Sequence, residues 1–98
     1  MARLIWSPRA IRDLEEICDY IANGSEKYAQ IFAQRAVQII ESLPDNPNAG
    51  SIVPEYDSPR LRERFLHSYR IIYRVKGEDI QLVTICHGAR LLDPEIQL

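Results

Sequence analysis

The sequence predicts a single α+β domain: an N-terminal strand, an antiparallel helical hairpin, and a three-stranded antiparallel meander packed on the helices. Three observations predict it. Apolar residues recur at three-to-four spacing up to Leu43, the spacing of one buried helical face. From Leu61 onward the pattern changes to short runs rich in β-branched and aromatic residues. The chain's 98 residues are enough for one core and too few for two, so residues 1–98 form one domain.

Leu4-Ile5-Trp6 reads as a first strand, ended by Ser7-Pro8, where Ser7 caps a helix and Pro8 fits its first turn. In that helix Ile11, Leu14, Ile17, Cys18 and Ile21 share one face, and Arg12, Asp13, Glu15, Glu16 and Asp19 share the other. Asn23-Gly24 supplies a left-handed stop. Ser25 caps a second helix whose Ala29, Phe32, Ala33, Ala36, Val37, Ile40 and Leu43 repeat the pattern until Pro44. Helices joined so closely form a hairpin.

Four prolines (Pro44, Pro47, Pro54, Pro59) and Gly50 make residues 44–60 a loop, with Glu55 and Tyr56 as its notable side chains, read as plain surface. The strands are Leu61 to Leu66, Tyr69 to Val75 and Ile80 to His87, separated by His67-Ser68 and by Lys76-Gly77-Glu78-Asp79. If Val75 pairs with Ile80, strict alternation puts Ile71, Tyr73, Val75, Ile80, Leu82, Thr84 and Cys86 toward the helices. The other face then carries Arg70, Ile72, Arg74, Gln81, Val83, Ile85 and His87, a mixture of cations and aliphatics suited to a half-exposed binding surface.

Composition narrows the function. With 46% hydrophobic and 27% charged residues the chain is an ordinary globular protein, not a disordered or fibrous one. Cys18 and Cys86 lack metal-ligand or redox spacing and read as buried thiols. Without a long apolar stretch near the N-terminus or elsewhere, a cytoplasmic protein with no membrane partner is expected. The net charge of −2 conceals an asymmetry: residues 60–90 carry seven basic side chains against three acidic ones, whereas residues 1–59 carry five against nine. Six of those seven cations are arginines, which suits recognition of carboxylate or phosphate.

No phosphate-binding glycine loop, HExxH or nucleophile elbow is present, so no cofactor or metal is expected and small-molecule catalysis has little support. Arg70, Arg74, His87 and Arg90 are the remaining candidate cluster. A cationic group with one histidine can stabilise a phosphorane and move a proton, as RNA cleavage requires; it can equally hold a carboxylate-rich peptide.

The order of elements, with Tyr69-Arg70-Ile71-Ile72-Tyr73-Arg74-Val75 and His87-Gly88-Ala89-Arg90, resembles the RelE/ParE toxin superfamily, over nearly the whole chain. Asp13-Leu14-Glu15-Glu16-Ile17, Tyr20-Ile21-Ala22, Gly50 and Pro54-Glu55 extend the resemblance. It implies a cognate, ParD-like antitoxin whose C-terminal segment wraps this body, with DNA contacted only through that antitoxin. RelE-like members cut messenger RNA on the ribosome; ParE-like members inhibit DNA gyrase. Arg70 and Arg90 match positions where the ribonucleases also have arginines and so do not discriminate; the ribonucleases additionally tend to carry lysines on the strand before the YR motif and a tyrosine or histidine in the tail. Here the strand reads Leu61-Arg62-Glu63-Arg64-Phe65-Leu66, and the tail from Leu91 to Leu98 has no general acid or base suited to neutral pH. The resemblance therefore favours the ParE-like branch, an inhibitor rather than an enzyme with catalytic residues. Its alternatives are the ribonuclease and a non-toxic relative that only binds an antitoxin. Arg70, Arg74, His87, Arg90 and Leu91 are the expected target contacts, and Ile72, Val83, Ile85, Arg62 and Arg64 the expected antitoxin contacts.

Overall fold

The computed structural model describes residues 3–89. Its elements run β1 (Leu4–Trp6), α1 (Pro8–Ala22), α2 (Glu26–Ser42), β2 (Ser51–Ile52), β3 (Leu61–Leu66), β4 (Tyr69–Lys76) and β5 (Asp79–His87). The predicted meander is β3-β4-β5, and β1 and β2 extend it at either edge into a five-stranded sheet of order β1-β5-β4-β3-β2. β1 lies parallel to β5, with Leu4 opposite Ile80, so the sheet is mixed. No helix among the described residues is long and apolar enough to cross a membrane.

Ser7 does two things at the entry to α1. Its hydroxyl oxygen accepts from the Ala10 N–H (3.0 Å), capping the helix, and its O–H donates to the Val83 carbonyl (2.8 Å), fixing the helix start on β5. The helical reversal departs from expectation. Asn23 keeps right-handed helical angles (φ −59°, ψ −32°), and the chain turns at Ser25 in extended geometry (φ −164°). The Gly24 and Ser25 N–H groups both donate to Ile21 O (3.0 and 2.9 Å), so the end of α1 is satisfied without a left-handed residue. Ser25 then caps α2 through the Tyr28 N–H.

The hairpin covers one face of the sheet, where Ala10, Phe32, Ala36, Ile40 and Leu43 meet Leu66, Ile71, Tyr73, Ile80, Leu82 and Ile85. Ile11 does not join them and is 45% exposed, and the two cysteines are half-buried rather than buried.

Val75 does pair with Ile80, but a bulge interrupts the alternation beyond it. Tyr73 lies opposite Leu82 while Ile72 lies opposite Thr84, so Val83 is an extra residue. The bulge exchanges the faces expected for the end of β5: Ile85 packs in the helix-side core and Cys86 behind the sheet. β1 ends opposite Leu82, and beyond that point Asp13 of α1 becomes the neighbour of β5. Its carboxylate accepts from the Ile85 N–H (3.1 Å) and from the Thr84 hydroxyl, so Asp13 faces the sheet instead of solvent.

The rear face is also covered. Val53, Leu61 and Ile72 form a second small core, flanked by Tyr56, Val83 and Cys86. Ile72, expected as a half-exposed aliphatic, is fully buried because the 44–60 loop folds over it.

Candidate functional site

The rear loop is held by three side chains from the sheet. Tyr73 crosses to the loop, where its hydroxyl accepts from the Gly50 N–H (2.9 Å) and donates to the Pro47 carbonyl (2.8 Å). Arg62 donates to the carbonyls of Gly50 (2.8 Å) and Pro59 (3.0 Å). Arg70 completes the set.

Arg70 is 4% exposed. Its Nε–H donates to Glu63 Oε1 (2.7 Å), and its Nη1 and Nη2 grip both oxygens of Glu55 (2.7 and 2.8 Å). Glu63 arrives by register: Phe65 lies opposite Arg70 and Glu63 opposite Ile72, so Glu63 is a diagonal neighbour of Arg70 on the same face. Glu55 is delivered by a tight turn in which the N–H groups of Tyr56 and Asp57 both donate to Val53 O, with Asp57 at φ 46°. The hydrogen bonds that Arg70 donates to Glu55, and then the one it donates to Glu63, hold the guanidinium pKa above its ordinary value against the opposing effect of burial. Two carboxylates thus surround one cation at a buried point. Beside it opens a concavity of about 390 Å³, lined by Pro54, Glu55, Phe65, Gly88 and Ala89, with Phe65 56% exposed on its rim.

The expected cationic cluster is not brought together among the described residues. Arg70 lies on the rear face, enclosed by carboxylates. His87 lies opposite Tyr69, on the helix side, with its ring edge-on to the Tyr69 ring (5.6 Å) and Nδ1 accepting from the Ala89 N–H (3.2 Å). Tyr69 in turn meets Phe32 of α2 edge-on (5.2 Å), so His87 belongs to an aromatic row on the opposite face from Arg70. Arg74 is four residues along β4, about 13 Å from Arg70 at strand rise. It lies opposite Gln81 of β5 and Leu61 of β3. Arg90 and Leu91 fall outside the described residues.

The expected antitoxin contacts divide in the same way. Ile72 and Ile85 are buried, so these two of the three aliphatic anchors expected at the surface are interior residues here, while Val83 packs half-buried on the rear core. Arg62 is committed to backbone carbonyls, and Arg64 is half-buried opposite Ile71. Glu55 and Glu63 were absent from the sequence candidates. Glu63 carried a signal, an acidic residue between Leu61 and Phe65 on one side of a strand. Glu55 carried one too, its place in the Pro54-Glu55 motif of the resemblance, but was read as plain surface.

Residues 4–92 match the family described as the ParE toxin of type II toxin-antitoxin system, parDE. The chain is 36% identical over 92 residues to Toxin RelE2 of Caulobacter vibrioides, an alignment spanning 93% of this chain and all of that protein. Among solved structures it resembles a chain of the chromosomal ParDE system from P. aeruginosa, with TM-score 0.72 and 29% identity over 89% of this chain and 96% of that one. A chain from the YoeB-YefM toxin-antitoxin complex of Staphylococcus aureus shares the fold at TM-score 0.54 and 18% identity, covering 89% of this chain and 95% of its own. With nearly its full length matched, and with the helical hairpin and antiparallel sheet in the expected order, the chain belongs to the ParE toxin family of type II toxin–antitoxin systems.

Proposed function

We propose that this toxin acts in the cytoplasm by inhibiting DNA gyrase, and that a cognate ParD-like antitoxin neutralises it. The observation that carries the choice of target is the state of Arg70. Cleaving RNA through its 2′-hydroxyl requires a cation open to the developing phosphorane charge and an acid–base pair within reach of the same atoms. Arg70 instead spends its donors on Glu55 and Glu63 inside the protein, and His87 sits across the sheet from it. A buried, neutralised arginine suits a rigid binding body. The antitoxin reading is supported by the family match and by the 29%-identical structural relative from a ParDE system.

Two assays on one preparation test the proposal. Purified toxin is expected to block supercoiling of relaxed plasmid by gyrase and to leave messenger RNA intact on translating ribosomes. Ribosome-dependent cuts, with supercoiling unaffected, would overturn it.

A further inference from the structure

A second concavity, of about 330 Å³, lies at the other end of the rear face, lined by Ser58, Arg60, Leu61 and Arg74. We propose that it receives a side-chain carboxylate from an acidic segment of the antitoxin. This rests on the antitoxin reading above and assigns a seat for one of its side chains.

Both arginines line this concavity. Leu61 lies opposite Arg74 in the β3–β4 ladder, and the Val75 N–H donates to Arg60 O (2.7 Å), so Arg60 enters the ladder one step from Arg74, next to the residue that faces it. Leu61, 3% exposed, lies between them and belongs to the rear core. The Ser58 hydroxyl oxygen accepts from the Arg60 N–H (3.4 Å), which leaves its own O–H to donate. Each guanidinium presents five donors, so an acceptor already held does not exclude another.

The charges around the cavity separate a carboxylate on a flexible peptide side chain from a rigidly spaced phosphate backbone. Asp57 precedes Ser58, and Glu78 lies in the turn that follows β4; both are exposed. A nucleic-acid backbone crossing this end of the sheet brings a phosphate every few ångströms and meets these acids. One carboxylate entering between two arginines does not, and the bidentate geometry of guanidinium suits it.

The test titrates toxin with a capped hexaglutamate peptide and, separately, with a 12-nucleotide single-stranded DNA, at low salt. Hexaglutamate is expected to bind, and Arg60→Ala and Arg74→Ala each to weaken it about tenfold, as loss of one charge-assisted hydrogen-bond partner predicts. Thermal unfolding checks that both variants fold, and Arg60 is exposed, so its variant remains informative if Arg74→Ala is unstable. Unchanged hexaglutamate affinity in folded variants, or preference for the oligonucleotide, would overturn the site. The product of the neighbouring reading frame is expected to displace hexaglutamate from the wild-type toxin. Binding without displacement would overturn the assignment of this seat to the antitoxin. Failure of that product to bind at all would instead overturn the antitoxin reading itself.

Discussion

Arg70→Ala is expected to destabilise the domain by about 3–5 kcal/mol, because it leaves Glu63 buried beside no cation. For a chain of this length that corresponds to a fall in melting temperature of more than about 10 °C in a thermal unfolding experiment. Arg70→Lys should restore little, since an ammonium cannot grip both Glu55 oxygens while also holding Glu63. Glu55→Gln should be milder, about 1 kcal/mol, because the Glu55 side chain is one-fifth exposed and its amide still accepts one hydrogen bond. An Arg70→Ala variant with wild-type stability would mean that the guanidinium contributes nothing to the fold, and its place at the centre of the rear face would need another explanation.

Gly50→Ala should disrupt the other anchor of the same loop. A Cβ there would stand 2.6 Å from the backbone oxygen of Glu63 and 2.8 Å from the Tyr73 hydroxyl. The first of these atoms is ladder backbone and cannot rotate aside, so the loop must lift away from β3. The expected loss is about 2–3 kcal/mol, typical of overpacking a filled interior. Faster hydrogen exchange across residues 50–57 should accompany it, because the Gly50–Tyr73 hydrogen bond goes with the loop. Gly24→Ala is the control: its Cβ would meet only Ile21 O, at 3.7 Å, and should be tolerated. If both substitutions have the same small effect, Tyr73 does not pin the loop.

Much of the architecture was legible in the sequence because local signals agreed with the global fold. Ser7-Pro8 and Ser25 marked both helix starts, and β3 was read with its observed limits from its turn signals. The β5 bulge was not legible. An extra residue at Val83 is stabilised by distant partners, the Ser7 hydroxyl and the neighbouring Asp13, and no local pattern in Leu82-Val83-Thr84 announces them. That single residue sent Ile85 and His87 to the wrong face and made a cationic cluster look continuous. Arg70 misled for a different reason. An arginine on a strand reads as surface, and its burial depends on a proline-rich loop, lacking periodicity, that carries Glu55 over it. Glu63 could have been found: a two-residue turn after Leu66 fixes its diagonal relation to Arg70.

The central claim is that Arg70 builds the rear face and does not touch the target. The most direct test replaces the buried ionic group as a unit, with Arg70→Met, Glu63→Leu and Glu55→Gln together. Exchanging the most buried charges, Arg70 and Glu63, together for apolar side chains is often neutral or stabilising, unlike removal of one member, and the one-fifth-exposed Glu55 takes a neutral amide. The triple variant should therefore fold with near wild-type stability and still block gyrase supercoiling at the wild-type concentration. A folded triple variant that has lost inhibition would contradict the account and return Arg70 to the target-contacting surface.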